Sequence, residues 1–134
     1  MSPVPSPGPA PVPPPGSTPG STPVERLRAL CLALPEAEER VSHGEPSWFA
    51  GSGRRARMFV MLSDHHHDDR LGFWCAAPGG AQERLTGEDP ARYYRPPYVG
   101  HRGWLGVYLD GPAPDWARIE GLVADAHALV GPGL

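Results

Sequence analysis

The stretch that decides the fold is RMFVMLSDHHHDDRLGFWCA, residues 57–76. Apolar, aromatic and β-branched side chains cluster at Arg57 to Leu62 and again at Leu71 to Ala76, and a polar loop separates the two runs. Each run has the length of a strand. Because so short a connection cannot hold the crossover helix that parallel strands need, the pattern predicts an antiparallel β-hairpin.

Further elements extend from this hairpin in both directions. Two more strands are predicted around Glu39 to Ser42 and Ser47 to Ala50, and another at Trp104 to Leu109. Between the later strands, Gly80 to Leu85 is predicted as a short helix and Gly87 to Gly103 as an irregular aromatic segment. The first four strands are joined by short connections, which favours antiparallel hairpins.

Two amphipathic helices are predicted, one before the strands in the sequence and one after them. Thr22 and Glu25 form a capping-box signature for a helix from Pro23 to about Leu34. A second helix is predicted from Pro114 to about Val130, because apolar residues recur along one of its faces. The order of elements therefore predicts an α+β fold, a two-layer antiparallel β-sheet with helices mainly on one face.

The amino-terminal segment differs sharply from the rest of the chain. Residues 1–23 contain 10 of the 19 prolines and no charged side chain. Such a composition cannot bury enough apolar surface to offset the entropy of ordering, so residues 1–22 are predicted to be a disordered tail. Residues 23–134 form one predicted domain, which carries the whole formal charge of -3.

The composition also excludes several classes of function. Cys31 and Cys75 are far apart and in no metal-ligand spacing, so no disulfide, metal site or cofactor is predicted, and a cytoplasmic location is expected. No apolar run approaches the roughly 20 residues that span a bilayer. Nucleotide-binding loops, nucleophile elbows and metalloprotease helices are absent, so the chain is predicted not to be an enzyme.

Two histidine-containing patterns have competing interpretations. His43, Glu45 and His101 could form an acid–base group only if the fold brought them together, whereas loop residues of these types are more often solvated or structural. The run Asp64 to Asp69 is rich in metal-ligand types, but neighbouring residues of one loop cannot all converge on one ion. A solvated loop is the favoured interpretation of that run.

Arginine and aromatic residues give the candidate binding surfaces. Arg54, Arg55 and Arg57 lie at a predicted hairpin tip, and Arg95 and Arg102 flank an aromatic loop. Arginines interleaved with aromatic rings can grip phosphates and stack on bases. Alternatively, these arginines belong to a solvated turn or stack on aromatic neighbours within the fold.

An open sheet face could supply a different surface. Side chains alternate along a strand, so Trp104 and Tyr108 should point away from Leu105 and Val107 and form part of an aromatic platform. The candidate partner or ligand surface comprises Trp48, Trp74, Tyr98, His101, Trp104 and Tyr108. The competing interpretation is that Trp48, Trp74 and Trp104 belong to the core or to a dimer interface.

Three segments carry a family resemblance: Ser42 to Phe49, Met58-Phe59 and, above all, YRPPYVGHRGWLGV at residues 94–107. Together with Asp115-Trp116, they resemble the YjbR/MmcQ family of small bacterial proteins. The resemblance extends from Pro23 to Val130. It implies a compact α+β fold similar to frataxin-like and secretion-chaperone-like proteins, and a DNA-binding role that rests on similarity of fold alone.

Two hypotheses for function follow. The first is a non-enzymatic protein that contacts double-stranded DNA through the Arg-rich hairpin and the aromatic loop. The second is a module that binds another protein or a small ligand on the open aromatic face and binds no nucleic acid. Neither hypothesis involves a membrane.

The tail gives a first testable prediction. Deleting Met1 to Thr18 should leave the thermal unfolding midpoint nearly unchanged, because disordered residues contribute little to a total stability of about 5–15 kcal/mol. Differential scanning calorimetry of the two chains would measure the effect. A loss of several degrees would show that the tail packs on the domain.

Overall fold

The computed structural model describes residues 22–65, 70–110 and 114–131. Within them the chain forms α1 (Pro23–Leu32), β1 (Ala37–Ser42), β2 (Glu45–Ala50), β3 (Arg57–Asp64), β4 (Leu71–Cys75), α2 (Ala81–Glu88), β5 (Tyr93–Tyr94), β6 (Leu105–Tyr108) and α3 (Trp116–Val130). Two short 3₁₀ turns lie at Gly53–Arg55 and Gly100–Arg102. Nearly all of the predicted tail and residues 66–69 of the histidine loop lie outside the described residues.

The strands form one six-stranded sheet in the order β1-β2-β3-β4-β6-β5. Every neighbouring pair is antiparallel, so the predicted α+β fold with an antiparallel sheet is confirmed. Most strand ends differ from the predicted ends by one or two residues. Within the segment predicted to be irregular, Tyr93 and Tyr94 form β5, an edge strand that pairs with β6.

One face of the sheet is covered by α1 and α3. A row of paired residues runs across five strands on this face: Glu39, Trp48, Val60, Cys75 and Leu105. Apart from half-buried Glu39, each is fully buried. Residues paired directly across antiparallel strands point to the same face, so this row forms the floor of the core beneath the helices.

A bulge in β3 adds a further residue to that core. Trp48 pairs with Val60 but Phe49 pairs with Met58, so Phe59 has no partner in β2. The extra residue lets two successive side chains point toward one face. Phe59 is fully buried and packs edge-on against His127 of α3, with the ring centroids 5.2 Å apart.

The helices begin and end where their capping residues allow. Thr22 accepts a hydrogen bond from the Glu25 backbone N–H, and the Glu25 carboxylate accepts one from the Thr22 N–H, which confirms the capping box. Helix α1 ends at Leu32, two residues before the predicted end. Asp115 caps α3 by accepting from the Arg118 N–H. In the described part of the chain, no helix is long and apolar enough to cross a membrane.

The close approach of β4 and β6 gives a second prediction. A Cβ atom at Gly72 would lie 2.5 Å from the backbone oxygen of Val107, and backbone cannot move aside as a flexible side chain can. We expect Gly72→Ala to destabilise the protein by about 2 kcal/mol or more, in the range of other overpacking substitutions. Urea unfolding followed by far-UV circular dichroism would measure the change.

Gly121→Ala is the matched control. Gly121 lies within α3, and a Cβ there would meet nothing within 4 Å. Because alanine favours a helix over glycine by about 1 kcal/mol, this variant should be slightly more stable than the original protein. Equal effects of the two substitutions would contradict the packing described for Gly72.

Candidate functional site

The face of the sheet opposite α1 and α3 carries the side chains of Trp74, Tyr94 and Tyr108. Its central row pairs Ser47, Met61, Trp74, Gly106 and Tyr94 across neighbouring strands. This row is displaced by one residue from the row beneath the helices, so its side chains point the other way. We call this surface the open face.

Contacts between neighbours hold the aromatic rings of the open face in place. The indole N–H of Trp74 donates to the Tyr94 hydroxyl at 2.9 Å. Tyr94 stacks on Tyr108 with the ring centroids 4.3 Å apart, and the Arg70 guanidinium lies 3.5 Å from the Tyr108 ring centroid. Gly106 makes room for this arrangement, because a Cβ there would lie 2.5 Å from the Tyr94 ring.

The segment between β5 and β6, residues 95–104, folds back toward the open face. Tyr98 lies near its middle, with its ring centroid 6.4 Å from that of Trp74. Although close to Trp74, Tyr98 remains 78% exposed. Its φ of 64° is unusual for a bulky aromatic residue, which indicates local backbone strain.

A buried glutamine anchors this segment to α2. The side-chain amide of Gln82 donates to the backbone oxygen of Gly100 at 2.9 Å and to that of Trp104 at 2.6 Å. Gln82 itself is only 3% exposed. The carboxyl-terminal part of the segment is therefore fixed by two buried hydrogen bonds that involve no strand of the sheet.

A cavity of about 600 Å³ lies between the open face and this segment. Met58, Met61 and Trp74 form its floor, Tyr98 and Val99 lie on one side, and His43 from the β1–β2 turn completes it. His43 also has a positive φ, of 55°. Sequence reasoning missed both methionines and Val99 as lining residues. Strict alternation from Met61 would place Met58 on the opposite face, and the bulge at Phe59 brings the two methionines to the same face.

Not all of the predicted aromatic surface lies on the open face. Trp74 and Tyr108 do, and Tyr98 lies over it, but Trp74 is only 3% exposed and belongs to the hydrophobic core, as its alternative assignment predicted. Trp48 does not: it belongs to the row beneath the helices, is 0% exposed, and its indole N–H donates to Glu39 at 3.1 Å. The prediction that Trp48 contributes to a partner surface is therefore wrong, and its alternative assignment to the core is correct.

Two further members of the predicted surface lie in the segment that leads into β6. Trp104 is 4% exposed and belongs to the hydrophobic core, while the Arg102 guanidinium lies 5.3 Å from its ring centroid. Trp104 therefore cannot act as an exposed platform. His101 is exposed in the 3₁₀ turn and is not among the residues that line the cavity.

All five arginines that were predicted to contact DNA lie at one end of the sheet. Arg54 and Arg55 lie in the connection between β2 and β3, and Arg57 is the first residue of β3. Arg95 and Arg102 lie in the connection between β5 and β6. Because β3 and β6 run parallel to each other on either side of β4, both connections meet the same sheet end. We call this the arginine end.

These arginines differ from most others in the described chain. All five are exposed, and none forms an ion pair with a described residue. By contrast, carboxylates pair with a second set of arginines: Arg28, Arg40, Arg70, Arg92 and Arg118. The arginine end therefore holds positive charge that its described neighbours do not neutralise.

A second cavity, of about 540 Å³, lies at the arginine end. Arg54, Arg55 and Arg57 line one side, and residues 129–131 at the carboxyl end of α3 line the other. The carbonyl groups at a helix carboxyl end carry partial negative charge, which favours nearby cations. This cavity is polar, in contrast to the cavity on the open face.

The residues considered for acid–base chemistry are not assembled into one site. His43 and Glu45 flank the β1–β2 turn, whereas His101 precedes β6 at the opposite end of the sheet. The cysteines offer no nucleophile, since both are buried. Burial and the negative charge of Asp125 raise the pKa of the Cys75 thiol to about 12, and burial raises that of Cys31 as well. No cluster of three metal-ligand residues occurs in ranges 22–65, 70–110 and 114–131.

Comparison with known proteins identifies the family. The YjbR family model matches residues 32–129, most of the chain. The chain belongs to the YjbR family. The resemblance expected from residues 94–107 is thereby confirmed.

A solved relative supports the fold of this YjbR protein. The crystal structure of Deinococcus radiodurans protein DR2400, with family-model domain DUF419, superposes with a TM-score of 0.71 at 23% sequence identity. The alignment covers 87% of this chain and 83% of that chain. At this identity the similarity establishes the fold alone. No protein of curated function shows a significant match to the sequence.

The buried glutamine gives a third prediction. Gln82→Ala would leave the backbone oxygens of Gly100 and Trp104 without their buried donor, which should destabilise the protein by about 1–3 kcal/mol. Amide hydrogen exchange measured by mass spectrometry should rise most in residues 95–104. Arg84→Ala, an exposed change on the same helix, is the control. Equal exchange in both variants would show that Gln82 does not anchor the segment.

Proposed function

We propose that this protein is a non-enzymatic DNA-binding protein that contacts duplex DNA through the arginine end. The observation that carries the proposal is the grouping of five exposed, unpaired arginines at one end of the sheet. Lysine and arginine contacts with phosphates supply most of the affinity of non-specific DNA binding. Unpaired arginines suit this role, because binding requires no internal ion pair to be broken.

The spacing of the two arginine groups supports the proposal. Strands β3 and β6 are separated only by β4, so their starting points lie two strand spacings apart, or about 10 Å. The major groove of B-DNA is about 12 Å wide. Both groups can therefore contact phosphates of the same duplex without a change in the sheet.

The distribution of charge favours a local interaction. The formal net charge is -3, so the chain as a whole does not attract a polyanion. Attraction must come from the arginine end, where the guanidinium groups lack carboxylate partners. Such binding is expected to be weak at physiological salt and strongly dependent on salt concentration.

The proposal includes a bacterial cytoplasmic location and no catalytic activity. Cys31 and Cys75 are both free thiols, as is usual in a reducing compartment. Glu25 and Asp115 cap helices, and Glu39, Asp89 and Asp110 form ion pairs with arginines. Binding is accordingly the activity that these residues support best.

The salt dependence of DNA binding provides the fourth prediction. If Arg54, Arg55, Arg95 and Arg102 each neutralise one phosphate, replacing all four by alanine should reduce the slope of log affinity against log salt by roughly 3.6. Affinity should fall almost equally for every duplex, because phosphate contacts do not read sequence. Fluorescence anisotropy with labelled duplexes of two unrelated sequences, between about 50 and 200 mM salt, would measure both effects.

Arg118→Ala serves as the control for charge alone. Arg118 lies in the first turn of α3, and its guanidinium is 4.0 Å from the Asp115 carboxylate. Its replacement should leave the salt slope unchanged. The proposal fails if the original protein shows no measurable duplex affinity at about 50 mM salt, or if Arg118→Ala weakens binding as much as the fourfold variant.

A further inference from the structure

We infer that the cavity on the open face is a binding site for an uncharged aromatic small molecule. This site is separate from the proposed DNA contact, since none of the five arginines of the arginine end lines the cavity. The inference rests on the size of the cavity, its chemistry and the way its walls are held.

The size of the cavity suits a small molecule. Its volume of about 600 Å³ falls in the middle of the roughly 300–1,000 Å³ range of ligand sites. It is formed by side chains from β3, β4, the β1–β2 turn and the segment between β5 and β6. Elements distant in sequence thus converge on one concave surface, as ligand sites require.

The lining selects against charged ligands. Met58, Met61, Trp74 and Val99 are apolar, and Tyr98 adds an aromatic ring. A charged group placed among them would lose its hydration without gaining an opposite charge. The lining therefore favours an uncharged molecule with a largely apolar surface.

The arrangement of the rings favours an aromatic ligand over an aliphatic one. The Trp74 and Tyr98 rings lie at 51° to each other, so a third ring can contact the face of one and the edge of the other. The thioethers of Met58 and Met61 also make favourable contacts with aromatic rings and can adapt to different shapes. An aliphatic molecule of equal size would gain neither type of contact.

The floor of the cavity is organised before any ligand arrives. Trp74 is held by its hydrogen bond to Tyr94, and Tyr94 is held by stacking on Tyr108 and by its fit over Gly106. Binding to a fixed ring does not require the protein to order that ring, so less entropy is lost.

The rim of the cavity is strained in the way that ligand sites often are. Only four non-glycine residues among those described have positive φ, and two of them, His43 and Tyr98, line this cavity. His43 Nδ1 lies 3.1 Å from the Ser42 hydroxyl, which leaves Nε2 to bond a ligand. A single hydroxyl or N–H group on the ligand would match this rim.

Titration with model compounds tests the inference and is our fifth prediction. Indole and 2-naphthol are uncharged aromatic probes, cyclohexanol is the aliphatic comparison, and indole-3-acetate is the charged comparison. In isothermal titration calorimetry and two-dimensional NMR of the full chain, the two aromatic probes should bind saturably. Both should shift the Trp74 indole N–H resonance, and cyclohexanol and indole-3-acetate should bind at least about tenfold more weakly.

Two variants link the binding to the cavity. Tyr98→Ala should weaken indole binding at least about fivefold because it removes one aromatic wall, and folding should persist because Tyr98 is 78% exposed. Val41→Ala removes another exposed apolar side chain, 77% accessible on β1, and should leave binding unchanged. Thermal melting of both variants would verify that they remain folded.

Three outcomes would overturn the inference. Absence of saturable binding by indole and 2-naphthol at millimolar concentration would exclude an aromatic site. Equal binding of cyclohexanol would show general hydrophobic adsorption. A chain lacking residues 1–18 that bound indole at least tenfold more tightly than the full chain would identify the tail as the occupant instead. Absence of duplex binding by the original protein would overturn the DNA-binding proposal but none of these results, so the two proposals can fail separately.

Discussion

The alternation of side chains across an antiparallel sheet is the constraint on which the structure depends. Helices α1 and α3 cover one face, so the row that contains Trp48 and Val60 becomes core. The neighbouring row, with Met61 and Trp74, must point away from those helices. Apolar side chains on that second face need another cover, which the aromatic contacts and the segment between β5 and β6 partly supply.

Local sequence patterns predicted the helices and strands well. They predicted less well which face of the sheet each side chain would occupy. The capping box at Thr22 and the hairpin around residues 57–76 involve near neighbours, so their signals are contained in short windows. The assignment of Trp48 depends instead on pairing with Val60 and on the bulge at Phe59, which no window of β2 reveals. Sequence reasoning found Trp74 and Tyr98 but missed the cavity that joins them, because its walls come from four separate segments.

The arginine end and the open face share one segment of the chain. In the segment of residues 95–104, Arg95 and Arg102 lie near the two ends and Tyr98 lies near the middle. Hydrogen bonds from Gln82 fix its carboxyl-terminal part. Gly100 fits closely against the Arg95 side chain, where a Cβ would lie 2.8 Å from its Cγ. A backbone movement of this segment would therefore displace charge and cavity wall together, whereas replacing Arg95 or Arg102 removes no residue that lines the cavity.

The shortness of β5 makes the connection that follows it tolerant of change. This edge strand contains only Tyr93 and Tyr94, and the segment that follows it is secured from α2 rather than by extended strand pairing. Insertions or substitutions there need not alter the register of the four strands from β1 to β4. The arginine end and the wall of the cavity can thus be remodelled in one peripheral connection, while the pairing of these four strands beneath their two covering helices stays the same.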